Sequence, residues 1–442
     1  MTTPTLSRRG ADAPASPIRR LTPYADAAKA RGITVHHLNI GQPDLATVGP
    51  MLAAYRAYDE RVVAYSPSEG YLSYRQALAA HYNELGAPRG GAPIDPSQIL
   101  VTVGGSEALL FTIGAACDVG DQLLVAEPYY TNYKGFSHLL GVDVAPVSTF
   151  SSENFAISPE RVRAAIGPKT RAFVVPSPGN PTGMVLGESD LAALGKICVD
   201  AGIYFIVDEV YREFVYPDPP PGPGDALPLA PSVLAVPGLA EHAVVIDSVS
   251  KRYSACGARV GCLVTRNKAL YAACLKFAQA RLSPPTVDQY AAQAALKTPA
   301  ADMRAMVDEY RARRDVIVAG LNAIPGVACP TPTGAFYLIT DLPVADAEDF
   351  CIFMLRDFDL HGETVMMAPA EGFYATPGLG KNQVRIAYVL ERDKLARCLE
   401  ILRAYRLVPP QQMGELEAAD ETRFHEALRR VLQPLRREGR MP

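Results

Sequence analysis

The chain has no tryptophan, and aromatic residues of all kinds make up only 8% of it, so any planar ligand would have to stack on tyrosine or phenylalanine. Its eight cysteines, at 117, 198, 256, 262, 274, 329, 351 and 398, form no Cys-x-x-Cys pair and have no paired histidine spacing to match. That argues against a zinc site and against a disulfide framework, and it suits a reducing cytoplasm. No run approaches the ~18 apolar residues of a membrane span. The N-terminus carries arginines and prolines without an apolar core, so no signal peptide is expected. Charge of one sign is also lacking: 43 Lys and Arg stand against 47 Asp and Glu, a net −4, and no basic field points to nucleic acid. No internal repeat is visible.

What is present is length and alternation. A chain of 442 residues exceeds a single simple core and implies two or more domains. Residues 1–20, rich in Ser, Pro, Arg and Ala, read as a flexible arm. Tyr24 to Arg31 reads as a helix, His37 to Ile40 as a short strand entering the turn Gly41-Gln42-Pro43-Asp44, and Ser73 to Leu85 as an amphipathic helix. From Ile99 onward, short apolar runs of buried-strand type recur at 99–103, 123–126, 172–176, 204–207, 243–246 and 260–264, with helical stretches such as 106–116 and 191–201 between them. This alternation predicts an α/β fold with three layers, a mostly parallel sheet flanked by helices. Pro217 to Pro237 reads as a long loop. After a charged helix at 303–321, the order strand 335–340, helix 348–358, strand 384–389 and helix 392–404 predicts a smaller α+β unit. The expected organisation is an arm (1–20), a small domain (21–50 with 300–408), a large domain (51–299) and a C-terminal tail (409–442) with one helical stretch, 421–435.

Several residues sit where such strands end, and ligands of parallel sheets bind beyond those ends. Lys251 lies in Ser248-Val249-Ser250-Lys251-Arg252, just after an apolar strand, with Arg259 eight positions on. A lysine whose pKa is lowered by a neighbouring cation or by burial forms a Schiff base with an aldehyde near neutral pH, and Arg252 and Arg259 are candidate neighbours. Ser248 and Arg259 suit a phosphate. An aldehyde carrying a phosphate suggests pyridoxal phosphate; a surface lysine in a basic loop is the plainer alternative. Gly104-Gly105-Ser106 turns a strand into a helix, where free N–H groups meet an anion. Asn180, fixed before a proline, offers an amide to a phenolate oxygen, although turns use asparagine freely. Asp208 would be costly to bury without a partner, and a pyridinium N–H is a suitable one; Tyr211 stands three residues on. Tyr129 and Tyr130 offer a ring for stacking or simply for packing. Arg385 is a charge inside an apolar strand, which calls for an anion: a substrate carboxylate, or an internal salt bridge.

Taken together and in this order, the motifs Asn39-Ile40-Gly41-Gln42-Pro43, Gly104-Gly105, Asn180-Pro181-Thr182-Gly183, Asp208-x-x-Tyr211, Ser248-x-x-Lys251 with Arg259, and Arg385 resemble fold-type I pyridoxal-phosphate enzymes of the aspartate aminotransferase family, over roughly residues 20–405. The resemblance implies a cofactor, pyridoxal 5'-phosphate, joined to Lys251, which also shuttles the proton. Asp208 would partner the pyridine nitrogen, and Asn180 and Tyr211 the phenolic oxygen. Gly105, Ser106, Ser248 and Arg259 would hold the phosphate, and Gly41, Asn180 and Arg385 would meet the substrate. Tyr65 would reach the phosphate of a neighbouring subunit, so the resemblance implies a homodimer with shared active sites, acting on an amino acid and a 2-oxo acid. There are departures. Tyr130 stands where the family often has tryptophan, Gly179 precedes Asn180, and no arginine matches the one that reads a second carboxylate. Arg281 is nearby but out of register, and the tail after Pro409 has no counterpart. Two other functions share these residues: a lyase or C–C bond-forming enzyme acting on an amino acid such as S-adenosylmethionine, and a non-catalytic binding module. The arm is too short to hold the DNA-binding domain the latter would need.

Overall fold

A computed structural model describes residues 3–404 apart from residue 223. The tail at 409–442 and the helix expected at 421–435 lie outside the described residues. Strand β1 (Thr34–His37) comes first, outside the main sheet. The main sheet has seven strands: β2 (Ile99–Val103), β3 (Gln122–Glu127), β4 (Asp143–Ser148), β5 (Thr170–Pro176), β6 (Tyr204–Asp208), β7 (Ala243–Ser248) and β8 (Val260–Thr265). Their order is β2-β8-β7-β6-β5-β3-β4, and only β8 runs against the rest. The inner strands are apolar on both faces because both are covered. Leu124, Phe173 and Phe205 face one buried cluster, while Leu123, Val174 and Ile206 face the other. This is the predicted α/β fold, a mostly parallel sheet flanked by helices.

Two smaller sheets follow. β1 pairs in parallel with β10 (Glu363–Met366), and β12 (Gln383–Ala387) lies antiparallel between β9 (Tyr337–Asp341) and β11 (Ala368–Pro369). Long helices at Ala300–Asn322 and Arg392–Ala404 pack beside them, and the latter has the bounds read from the sequence.

Three expectations change. The strand expected at His37 to Ile40 is β1, which ends at His37. Beyond Leu38 the chain leaves the β10 ladder, and the backbone carbonyl of Asn39 turns to accept from Arg385. Strand β4 gave no apolar run. It is the half-exposed edge of the sheet and contains Pro146, which an edge tolerates. The arm is not free along its whole length. It is exposed as far as Ser16, then Pro17 is buried against Gly372, and Asn39 Nδ2 donates to the carbonyl of Ile18 at 2.8 Å. Among the described residues no helix is long and apolar enough to cross a membrane, and no three His, Cys, Asp or Glu cluster as metal ligands.

Candidate active site

The carboxyl ends of β2, β5, β6 and β7 open on one edge of the sheet, into a cavity of about 400 Å³. Each end delivers a residue that the sequence singled out. After β2 the chain turns straight into the helix Gly104–Ala116, whose first turn brings Gly105 and Ser106 to the cavity. Gly104 has φ +71°, and a Cβ there would stand 2.5 Å from Arg259 Nη2, so the turn needs glycine. Arg259 itself adopts a left-handed φ of 53° and donates from Nη1 to the carbonyl of Cys256 at 2.9 Å. A bulky residue in that region is strained, and such strain gathers at ligand sites.

At the end of β6, Asp208 is buried. Its Oδ2 accepts from Tyr133 at 3.1 Å, and its Oδ1 has no partner. Burial raises its carboxyl to about 7, against the hydrogen bonds from Tyr133 and the Val210 backbone; the nearby carboxylates of Asp247 and Glu209 push the same way. Tyr211 donates to Tyr337 Oη at 2.9 Å, and burial holds its phenol neutral. At the end of β7, Ser248 caps a one-turn helix, accepting from Ser250 N at 3.1 Å and donating to the carbonyl of Val260 at 3.0 Å. Lys251, on that turn, donates from Nζ to the carbonyl of Gly41 at 2.9 Å and stands 3.6 Å from Cys256 Sγ.

The opposite wall comes from the small sheets and the N-terminal loop. Arg385, in β12, is 1% exposed. Its guanidinium lies 4.8 Å from the ring centre of Tyr337 and 5.2 Å from that of Phe373. It donates to the carbonyl of Asn39 and, at 3.4 Å, to Asn180 Oδ1, while Nε has no partner. Among the described residues it has no carboxylate partner, so the salt-bridge alternative fails. Burial lowers its pKa, the mark of a cation without a counter-charge.

Gly41, Gly105, Ser106, Tyr130, Asn180, Asp208, Tyr211, Ser248, Lys251, Arg259 and Arg385 thus all line one cavity. Tyr65 does not; it is 79% exposed and is not part of the cavity wall of its own chain. Arg281 is also elsewhere, held 3.2 Å from Glu107 and by the carbonyl of Val101. Arg252 corrects another expectation: its guanidinium turns away from Lys251 into a buried ion cluster. Tyr337, Ser250, Cys256 and Arg19 line the cavity without having been singled out. Tyr337 was hidden in an apolar strand and Arg19 in a segment read as loose. Only Ser250 and Cys256, flanking Lys251, lay within a motif already in view.

Residues 33–402 match the family described as aminotransferase class I and II. The aspartate/prephenate aminotransferase of Thermus thermophilus is 32% identical over 378 residues, 84% of this chain and 91% of that protein. An arginine–pyruvate transaminase of Pseudomonas aeruginosa is 30% identical, covering 86% of this chain and 91% of its own. Among solved structures, the aspartate aminotransferase of Thermotoga maritima superposes with a TM-score of 0.80 at 30% identity, over 90% of this chain and 99% of that one. With most of its length matched and the family's architecture in place, the chain belongs to the class I and II aminotransferases.

Proposed function

We propose that this aminotransferase holds pyridoxal 5'-phosphate in the cavity, linked to Lys251, and moves the amino group of an α-amino acid to a 2-oxo acid. The residues present fit such a group. One oxygen of Asp208 is buried and unpartnered, which suits a protonated ring nitrogen, and the helix start at Gly105 and Ser106 with Arg259 suits a phosphate. Tyr130 supplies the ring face that tryptophan would otherwise give. Asn180 and Tyr211 suit the phenolic oxygen. When bound, the cofactor supplies an electron sink for a carbanion at the substrate's α-carbon.

The protein's own part is to bind, orient and move a proton. Arg385 receives the α-carboxylate with its planar fork, and Gly41 leaves space beside it. The approach is close: a Cβ at Gly41 would fall 1.8 Å from Tyr337 Oη. Lys251 Nζ, held on the backbone carbonyl of Gly41 in the same cavity, is the group placed to take up and return the α-proton. Tyr65, with the exposed Val62 and Val63 beside it, supports contact with a second copy whose cavity the tyrosine enters.

The observation that carries the reading is Arg385: a buried guanidinium in the same cavity as Lys251, without an anionic partner among the described residues. Borohydride reduction of the protein loaded with pyridoxal phosphate, followed by peptide mapping, should place the label on Lys251. A label on any other lysine removes the basis of the assignment.

A further inference from the structure

Beneath the cavity lies a cluster of five buried charges: Glu209, Arg212, Glu213, Asp247 and Arg252. Arg252 stands 2.6 Å from Glu213 through Nε, and its Nη2 donates to both oxygens of Asp247, at 3.0 and 2.8 Å. Asp247 also accepts from Tyr82 Oη at 2.7 Å and from its neighbour's backbone, Ser248 N, at 2.7 Å. Arg212 binds Glu209 through Nε at 2.9 Å and lies 3.6 Å from Asp247. The other oxygen of Glu209 accepts from Ser232 and from the Val233 backbone.

The cluster is placed unusually. Four of its members are covalent neighbours of cavity residues: Glu209 follows Asp208, Arg212 follows Tyr211, Asp247 precedes Ser248, and Arg252 follows Lys251. One face of each dipeptide carries the chemistry and the other is tied below. Two guanidiniums against three carboxylates also leave one net negative charge. A cluster built for stability alone gains little, because well-packed apolar side chains of similar volume serve as well or better.

We propose that this cluster is a positioning device for the reaction. In it Arg252 is a positioning residue that fixes the Lys251 turn against the ends of β6 and β7, and Glu213 is its anchor. Arg252 is the member that joins the two strand ends to the turn carrying the lysine: one side of its guanidinium meets Asp247, the penultimate residue of β7, and the other meets Glu213, in the segment that follows β6. Removing that link frees Lys251 Nζ to wander relative to Asp208 and Arg385, and displacements of about 1 Å lower rates by on the order of 10²-fold. The proposal rests on the assignment of Lys251 as the cofactor lysine, and borohydride mapping tests that assignment separately.

The test compares the pyridoxal-phosphate-loaded wild type with Arg252→Met and with the double variant Glu213→Leu/Arg252→Met. The single variant leaves carboxylates unpaired in the interior and should lose thermal stability and activity together. The double variant removes one charge of each sign, keeps the cluster's net charge and regains most of the lost melting temperature. For a positioning role, its kcat stays depressed about tenfold or more with KM little changed. The absorbance band of its bound cofactor also stays displaced from that of the wild type. Arg252→Lys, which restores the charge but not the two-sided fork, should recover kcat only in part. If kcat and the absorbance band return to wild-type values along with the melting temperature in the double variant, the cluster is structural only and the proposal is wrong.

Discussion

Arg252 and Arg385 are buried almost equally, 3% and 1% exposed; Arg385 lines the cavity and Arg252 follows Lys251, which does. Arg252 meets two carboxylates, whereas Arg385 meets backbone and amide oxygens and two aromatic rings. A buried guanidinium is tolerated only with compensation, and here the compensation comes from different places. For Arg252 it is inside the protein in every state. For Arg385 no carboxylate among the described residues supplies it. The same residue type at the same depth is therefore paired inside the protein in one place and, on the proposed function, serves recognition in the other, and the partners separate the two where burial does not.

The contrast can be broken or sharpened by substitution. The largest effect should come from Lys251→Ala, which removes the one lysine that lines the cavity among the described residues and, on the proposed function, the group that moves the α-proton. Turnover should fall by about 10²–10⁴-fold or more, while the cofactor is still retained through its phosphate, as read by absorbance after gel filtration. On the architectural side, Arg212→Ala leaves Glu209 and part of Asp247 buried without a cation, and chemical denaturation should show a loss of about 3–5 kcal/mol. Recovery of wild-type stability in that variant would mean the cluster relaxes by admitting water.

Asp208 belongs with Arg385, each being a buried charged group with one unpartnered atom. Its carboxyl, raised by burial to about 7, keeps a proton in the folded, ligand-free protein that the unfolded chain releases near 3.8. Ligand-free stability should therefore fall as pH rises from about 4 through about 7 and level off above, by at most on the order of 4 kcal/mol. Asp208→Asn should flatten that slope, and the cofactor should flatten it in the wild type by supplying a cation. Melting curves at several pH values, with and without pyridoxal phosphate, check both; an equal slope in all of them contradicts the pairing.

Arg385→Lys comes next. Amino-acid binding should weaken by about 2–4 kcal/mol, with cofactor affinity and thermal stability unchanged, because no internal ion pair is lost. Titrations with amino acids and with amines lacking the carboxylate separate the two. The smallest effect belongs to Arg19, a cavity-lining cation on the arm without an ion-pair partner among the described residues. Arg19→Ala should change kcat/KM only for substrates with an acidic side chain, by ~1 kcal/mol or less, as expected of an exposed charge.

Much of this was legible from residue order, because strand ends carry the site. Lys251, Asp208 and Asn180 follow apolar runs, and the fold brings such ends to one edge of a parallel sheet. Arg385 stood out because a charge in an apolar strand is anomalous. What stayed hidden depends on the third dimension. Tyr337 looks like one more apolar strand residue, although its hydroxyl meets both Tyr211 and Gly41. Arg252, adjacent to Lys251, suggested a cation beside the amine. Successive residues on a helical turn project in different directions, and its charge is neutralised below. Edge strand β4 has too few buried positions to leave an apolar signature, and the arm docks through scattered contacts that have no sequence period: Pro17 against Gly372, the Ile18 carbonyl on Asn39, the Arg9 carbonyl on His138 and Arg20 beside Glu348.

The carbonyl of Gly41 accepts from two donors at once, Lys251 Nζ at 2.9 Å and Tyr337 Oη at 3.2 Å. A carbonyl oxygen has two lone pairs, so the contacts do not compete. On the proposed function a lysine joined to the cofactor would vacate one of them, and the tyrosine would still hold the other. The Gly41 loop is thus moored twice, by one line that the reaction would cast off and by one that would stay fast.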